Sequence, residues 1–151
     1  MKNAVSALGS LHQNPYVLAP YLESFYRNVS DKDILLSYLV LPMLFDSMTL
    51  SKLKVIRSDS TVFTKFSDKN LLSGIELRVQ EFKRTTNMCL QVLFELGVFE
   101  KGEARNILVS SESLIPKTAN REKVKAAHQL AKLLDSYEVR ECYRFLGVKS
   151  L

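Results

Sequence analysis

Residues 14–45 constrain the fold of this chain most strongly, because their second half forms a helix without a polar face. Residues 34–45 read ILLSYLVLPMLF, and apolar side chains cover nearly the whole circumference of the predicted helix. Such a helix has to be buried on all sides, either in the core of its own domain or in an interface shared with another protein. Pro42 is expected to kink or end it.

The segment before this helix has the pattern of an amphipathic helix that begins at Asn14-Pro15. Asn can accept hydrogen bonds from the exposed backbone N–H groups of a first turn, and Pro is well suited to that turn. Apolar residues then recur at intervals of three and four, which gives a wide apolar face rich in aromatic residues. From this segment we select Tyr16, Phe25 and Tyr26 as the candidate partner-binding residues.

The strongest helix signal lies in residues 71–96, where apolar residues follow a three-then-four spacing. This stripe has two interpretations: it forms the core of its own domain, or it receives a partner helix. Gly97 is expected to end the helix in the left-handed conformation. Two short strands around a tight turn are predicted next, near residues 98–100 and 106–110. A long helix followed by a hairpin has the outline of a winged helix-turn-helix.

Pro116 separates this unit from a C-terminal segment with two further helix patterns. Thr118 or Asn120 is expected to cap the first helix, and the second ends at Gly147. We therefore predict a mainly α fold in three parts. These parts are a flexible N-terminus (1–13), a helical domain with a small winged-helix-type β-hairpin (14–115), and a helical C-terminal appendage packed on that domain (116–151).

Composition and cysteine use are those of a soluble protein in a reducing compartment. The hydrophobic share is 46% and the charged share is 25%, which is ordinary for a globular domain. Cys89 and Cys142 both fall inside apolar helical patterns, where free cysteines act as small buried hydrophobic residues. The apolar run 34–45 is shorter than the ~20 residues that span a bilayer. We expect a cytoplasmic protein without a membrane segment.

The residue pattern favours no catalytic chemistry. His12 and His128 have no Cys or carboxylate at metal-ligand spacing, and the five glycines are too isolated to form a phosphate-binding loop. Asp31 and Asp33 are explained as partners of a helix dipole in a first turn. We predict no enzymatic activity, no catalytic residues, no metal, no cofactor and no small-molecule substrate.

The net charge of +5 leaves contact with nucleic acid open, because many of the basic residues lie in the C-terminal segment. Lys123, Lys125 and Lys132 are the candidates for contact with a nucleic-acid backbone; the alternative is an ordinary solvated helix face. A DNA-binding winged helix needs a short basic recognition helix. Here the helix before the hairpin is long with mixed charges, and the turn at residues 100–103 (EKGE) is not basic.

Several motifs, taken in order and spacing, resemble the middle-component family of bacterial ABC three-component systems. The resemblance covers about residues 14–148. The motifs that carry it are Asn14-Pro15, Ala19, Leu22, Phe25-Tyr26, residues 39–44 (LVLPML), Leu96-Gly97-Val98 and Leu146-Gly147-Val148.

This resemblance implies an adaptor placed between an SMC- or Rad50-like ABC ATPase and an effector nuclease in antiviral and anti-plasmid defence operons, of which Lamassu is an example. The adaptor would hold the effector inactive until the ATPase senses foreign DNA, so that DNA is reached mainly through the complex. The family supplies no catalytic residues to carry over. The alternative is a winged-helix DNA-binding transcriptional regulator, which the helix-hairpin outline and the positive charge suggest.

Overall fold

The computed structural model describes residues 13–68 and 70–151. The predicted flexible N-terminus, with His12, lies outside the described residues except for Gln13. The described part is mainly helical with a small two-stranded antiparallel hairpin, which confirms the predicted fold class. In chain order the elements are α1 (Pro15–Asn28), a 3₁₀ helix (Ile34–Leu36), α2 (Ser37–Leu44), α3 (Ser47–Leu53), α4 (Val62–Lys65), α5 (Ile75–Glu95), β1 (Phe99–Lys101), β2 (Ile107–Val109), α6 (Arg121–Leu134) and α7 (Val139–Leu146).

Helix α1 lies between α5 and α6 and is buried over most of its length. It begins as predicted: the Asn14 side chain accepts a hydrogen bond from the backbone N–H of Tyr16 at 3.0 Å. Ser24 is buried on the side towards α6, and its hydroxyl donates to the carbonyl oxygen of Val124 at 2.8 Å. Contact on two sides explains why even polar residues of α1 are shielded from water.

Helix α2 is buried except for the partly exposed Tyr38, as expected for a helix that is apolar all round. Leu39, Val40, Leu41 and Met43 have no exposed surface, and α2 contacts α1, α3, α5 and α6. Pro42 lies inside α2, which ends two residues later. Burying an aliphatic side chain contributes about 1.5–3 kcal/mol, so this segment is a major source of folding free energy.

The start of this region differs from the prediction in one respect. Asp33 does not lie in the first turn of a helix; it precedes the 3₁₀ helix as its N-cap, and its side chain accepts from the N–H of Leu35 at 2.9 Å. The other oxygen of the same carboxylate accepts from Arg105 in the loop of the hairpin. Asp33 thus joins the 3₁₀ helix to that loop.

No single helix in the described ranges has the length and apolar character needed to cross a membrane. The segments Ile34–Leu44 and Ser47–Leu53 meet the length and composition test only when taken together, with a bend of 107° between them.

Helix α5 is buried along its apolar stripe. It begins at Ile75, later than the sequence pattern indicated, because Gly74 adopts a left-handed φ of 77° and precedes the first turn. Val79, Cys89 and Leu93 face α1 and α2 and belong to the hydrophobic core. The structure therefore favours the first interpretation of the stripe, the domain's own core.

Two helices, α5 and α7, end in the same Leu-Gly-Val motif with the same geometry. Gly97 and Gly147 have left-handed φ values of 72° and 77°. The N–H of Val98 donates to the carbonyl oxygen of Leu93, and the N–H of Val148 donates to that of Tyr143, both at 3.0 Å. This six-to-one hydrogen bond defines a Schellman motif, and it confirms both predicted helix ends.

The C-terminal helices complete the same core. Asn120, rather than Thr118, caps α6, since its side chain accepts from the N–H of Lys123 at 3.0 Å. Ala127 and Leu130 of α6 are fully buried, and α6 packs against α1, α2 and α3. The division into a domain and an appendage stays a prediction, but the two parts share one apolar cluster.

Candidate partner interface

A small groove on the surface is the best candidate for a partner interface; we call it the apolar groove. Its rim is formed by Tyr16, Leu96 and Leu114, whose exposed fractions are 66%, 55% and 47%. Val92 and Val98 line it as buried residues. The groove has a volume of about 120 Å³, and a cavity of ~150 Å³ can hold benzene. It has room for one apolar side chain of a partner.

The apolar groove joins three distant parts of the chain. Tyr16 lies in the first turn of α1, Leu96 follows the last residue of α5, and Leu114 belongs to the segment that leads to α6. Three large apolar side chains around one depression form a patch of the kind that marks interaction sites on soluble proteins.

An ion pair between the buried Glu23 and the partly exposed Arg27 holds one wall of the apolar groove in place. Glu23 is 1% exposed, and its Oε1 accepts from Nε of Arg27 at 2.9 Å and from the N–H of Leu114 at 3.1 Å. Arg27 also donates to the carbonyl oxygens of Ser110 and Glu112 at 2.7 and 2.8 Å. The segment that carries Leu114 is therefore fixed to α1 by charge-assisted hydrogen bonds, which are stronger than neutral ones.

Of the three predicted partner-binding residues, Tyr16 lies on the surface. Phe25 and Tyr26 have no exposed surface in this structure, so that their role in partner binding stays a prediction. Their rings pack edge-to-face at 5.2 Å, and the Tyr26 hydroxyl donates to the carbonyl oxygen of Asp33 at 2.8 Å. Both lie on the part of α1 that other helices cover.

The three predicted backbone-contact lysines have different environments. Lys125 and Lys132 are exposed on α6. They are seven residues apart, or about 10.5 Å along the helix axis. Lys123 is only half-exposed, and its Nζ lies 5.2 Å from the centre of the Phe45 ring. A cation over an aromatic face is held there by attraction to the ring, which leaves Lys125 and Lys132 as the accessible pair.

The titratable groups of the described residues differ in clustering and in pKa. In the described ranges, no three or more His, Cys, Asp or Glu residues are placed to hold a metal ion. Burial raises the pKa of Cys89 and of Cys142 from 9.0 to about 12, so both thiols are protonated near neutral pH and are poor nucleophiles. The pKa of His128 is lowered, first by burial and then by the charge of Lys132.

The sequence pattern does not mark Leu96 and Leu114 as candidates for a partner interface. Leu96 ends the apolar pattern of α5, so the sequence gives no reason to separate it from the core. Leu114 stands in a polar connecting segment, and an isolated large apolar residue there is a weak signal of surface exposure. Their joint position beside Tyr16 depends on how α1, α5 and the connecting segment pack.

The described residues form a small, mainly helical fold with one two-stranded hairpin. The family model of the ABC-three component (ABC-3C) system Middle Component 3 matches residues 2–150, and the chain belongs to this family. This confirms the resemblance to a middle component. The family name associates the chain with the other components of an ABC-3C system. No curated protein and no solved structure gave a significant match.

Proposed function

We propose that this protein is a non-catalytic, cytoplasmic adaptor subunit that links an SMC- or Rad50-like ABC ATPase to an effector nuclease in a bacterial antiviral or anti-plasmid defence complex of the Lamassu type. The observation that supports it most strongly is membership of the middle-component family along nearly the whole chain. Within the complex, the adaptor holds the effector in an inactive assembly until the ATPase has sensed foreign DNA.

The apolar groove supports the adaptor function because it can seat an apolar anchor residue of another component. Interfaces concentrate their binding free energy in a few side chains that fill pockets near the centre of the contact. Tyr16 is a suitable contact residue, since aromatic residues are enriched in interfaces relative to the rest of a protein surface. The Glu23–Arg27 pair keeps the Leu114 wall in place before binding, which lowers the entropic cost of association.

Co-expression with the genes adjacent to its own, followed by size-exclusion chromatography, tests the proposal. We expect the chain to elute together with an adjacent ABC ATPase. If it elutes as a monomer while that ATPase is present and folded, the adaptor function is refuted.

A pair of matched variants tests the apolar groove itself. Leu96→Gln and Leu77→Gln replace leucines that are 55% and 64% exposed, one at the end of α5 and the other near its start. We expect Leu96→Gln to weaken co-elution and Leu77→Gln to leave it unchanged. Equal co-elution of both variants with the wild type would exclude the groove as the interface while leaving the complex intact.

Direct contact with DNA is proposed as a weak contribution of Lys125 and Lys132. Each phosphate neutralised by a lysine releases counterions, so binding through these two residues depends steeply on salt. We expect duplex DNA to bind the isolated chain weakly and without sequence preference, and the Lys125→Glu, Lys132→Glu double variant to bind more weakly still. A sequence-specific component that persists at physiological salt would favour the transcriptional regulator instead.

A further inference from the structure

A second groove, which we call the basic groove, lies between α7, the residues that follow it and the hairpin loop. Its volume is about 650 Å³, more than five times that of the apolar groove. Four cationic side chains line it, namely Arg105, Arg140, Arg144 and Lys149. None of its lining residues takes part in the contacts proposed above for a partner or for DNA.

One of the four cations is already paired. Arg105 contacts the buried carboxylate of Asp33 through Nε at 3.0 Å and through a terminal nitrogen at 2.9 Å. This pair fixes Arg105 at the edge of the groove and connects it to the 3₁₀ helix that carries Leu35, another lining residue.

The other three cations are exposed and have no carboxylate side chain within salt-bridge distance in residues 13–68 and 70–151. Glu141 accepts from the N–H of Glu138, whereas Glu76 lies beside the groove and accepts from the backbone N–H of Lys149. Arg140 and Arg144 are one helical turn apart and so share a face of α7. Three of the four cations in the groove therefore have no carboxylate side chain as an ion-pair partner among the described residues.

Apolar residues form the rest of the lining. Leu35, Val139 and Val148 contribute aliphatic surface, and the hydroxyl of the single aromatic lining residue, Tyr143, donates to the carbonyl oxygen of Leu35. Recognition of single-stranded nucleic acid relies on successive aromatic faces for base stacking, and among the described residues this lining supplies one aromatic ring, that of Tyr143. A volume of this size matches sites for ligands of a few hundred daltons, which is too small to enclose a duplex.

We infer that the basic groove binds a short acidic peptide segment that alternates carboxylates with apolar side chains. Guanidinium groups bind carboxylates through two parallel hydrogen bonds, and the aliphatic surface between the cations accepts apolar side chains. We assign the acidic segment to another component of the system, and this assignment rests on the proposed function. The preference of the groove for an acidic peptide does not depend on which protein carries the segment.

Fluorescence anisotropy of the full chain tests this inference. The probe is a labelled peptide with the repeat Ser-Glu-Leu, and the control peptide has the repeat Ser-Gln-Leu. The test variant carries Arg140→Gln and Arg144→Gln. The matched control carries Lys52→Gln and Arg121→Gln, which removes the same charge from two exposed positions on α3 and α6 that do not line the groove. Gln and Arg have similar helix propensities, and thermal unfolding followed by circular dichroism verifies that both variants fold.

We expect the Glu peptide to bind the wild type, and the arginine variant to lose about tenfold or more in affinity, since hydrogen bonds to charged groups are strong. The control variant should change the affinity by less than about twofold, because exposed charges outside the groove are largely screened by salt. Equal losses in the two variants, or equal binding of both peptides, overturn the inference. So does a single-stranded oligonucleotide that competes for the groove with higher affinity than the Glu peptide.

Co-elution with the ATPase, measured on the same variants, separates this inference from the proposed function. A wild type that binds the Glu peptide but never assembles with a neighbouring component leaves the groove chemistry standing and refutes the adaptor. A wild type that assembles without binding the Glu peptide keeps the adaptor and refutes the acidic segment.

Discussion

The two Leu-Gly-Val helix ends have the same backbone geometry and opposite surroundings. Gly97 and Gly147 are both left-handed, and each following valine is buried and bonds back five residues. Yet Leu96 is 55% exposed on the rim of the apolar groove, whereas Leu146 is fully buried beside the basic groove. A short local sequence determines how a helix ends, and the elements packed around that end determine the surface it presents.

Substituting the leucine that begins each motif should give the largest difference in stability between the two helix ends. We expect Leu146→Ala to lower the free energy of unfolding by about 2–5 kcal/mol, because it leaves a cavity in the core. Leu96→Ala should change it by less than about 0.5 kcal/mol, since the side chain is mostly solvated. Urea unfolding of the two variants gives both values, and similar losses would show that the two ends are packed alike.

Substitutions at the two glycines test the left-handed backbone geometry that the two helix ends share. An added Cβ would meet no atom within 4 Å at Gly97 or Gly147, so the cost of Gly→Ala comes from the left-handed backbone alone, roughly 1–2 kcal/mol at each position. We expect equal losses in urea unfolding. Gly→Asn serves as the control and should cost less, because Asn tolerates this conformation. If Asn proves as costly as Ala at either position, a steric cause has to replace the backbone one.

The smallest expected effect is a dependence of stability on pH that comes from two buried thiols, Cys89 in α5 and Cys142 in α7. The folded-state pKa values of Cys89 and Cys142 are raised from 9.0 to about 12 by burial. Above pH 9 the unfolded chain loses thiol protons that the folded chain keeps, so stability is full below pH 9 and falls as the pH rises towards 12. The expected loss over the first pH unit is at most about 1.4 kcal/mol for each thiol.

Urea unfolding between pH 8 and pH 10 measures this loss. Cys89→Ala and Cys142→Ala should each flatten the dependence of stability on pH. If a variant keeps the wild-type slope, its thiol titrates in the folded state as it does in the unfolded state, and that helix opens more readily than its burial indicates.

The helix ends could be predicted from the sequence because their causes are local. Asn14 and Asn120 accept from N–H groups two or three residues away, and Gly97 and Gly147 supply the left-handed residue that each end requires. The burial of residues 34–45 could also be predicted, because a helix that is apolar on nearly all sides has to be covered by other parts of the protein.

The surface sites could not be predicted, because exposure depends on elements far apart in the sequence. Phe25 and Tyr26 belong to an apolar pattern on a helix that others cover from two sides. Lys123 lies over Phe45, a contact that no spacing rule indicates. The one-turn spacing of Arg140 and Arg144 was visible in the sequence, whereas their lack of a carboxylate partner required the packed structure.

The position of α1 between α5 and α6 has a consequence for biosynthesis. Ser24 and its partner Val124 are 100 residues apart, and ribosomes add about 5–20 residues per second. The apolar side of α1 that faces α6 therefore stays uncovered on the nascent chain for about 5–20 s. During this interval the emerging chain is a substrate for chaperones, and it is prone to aggregate wherever translation stalls before α6.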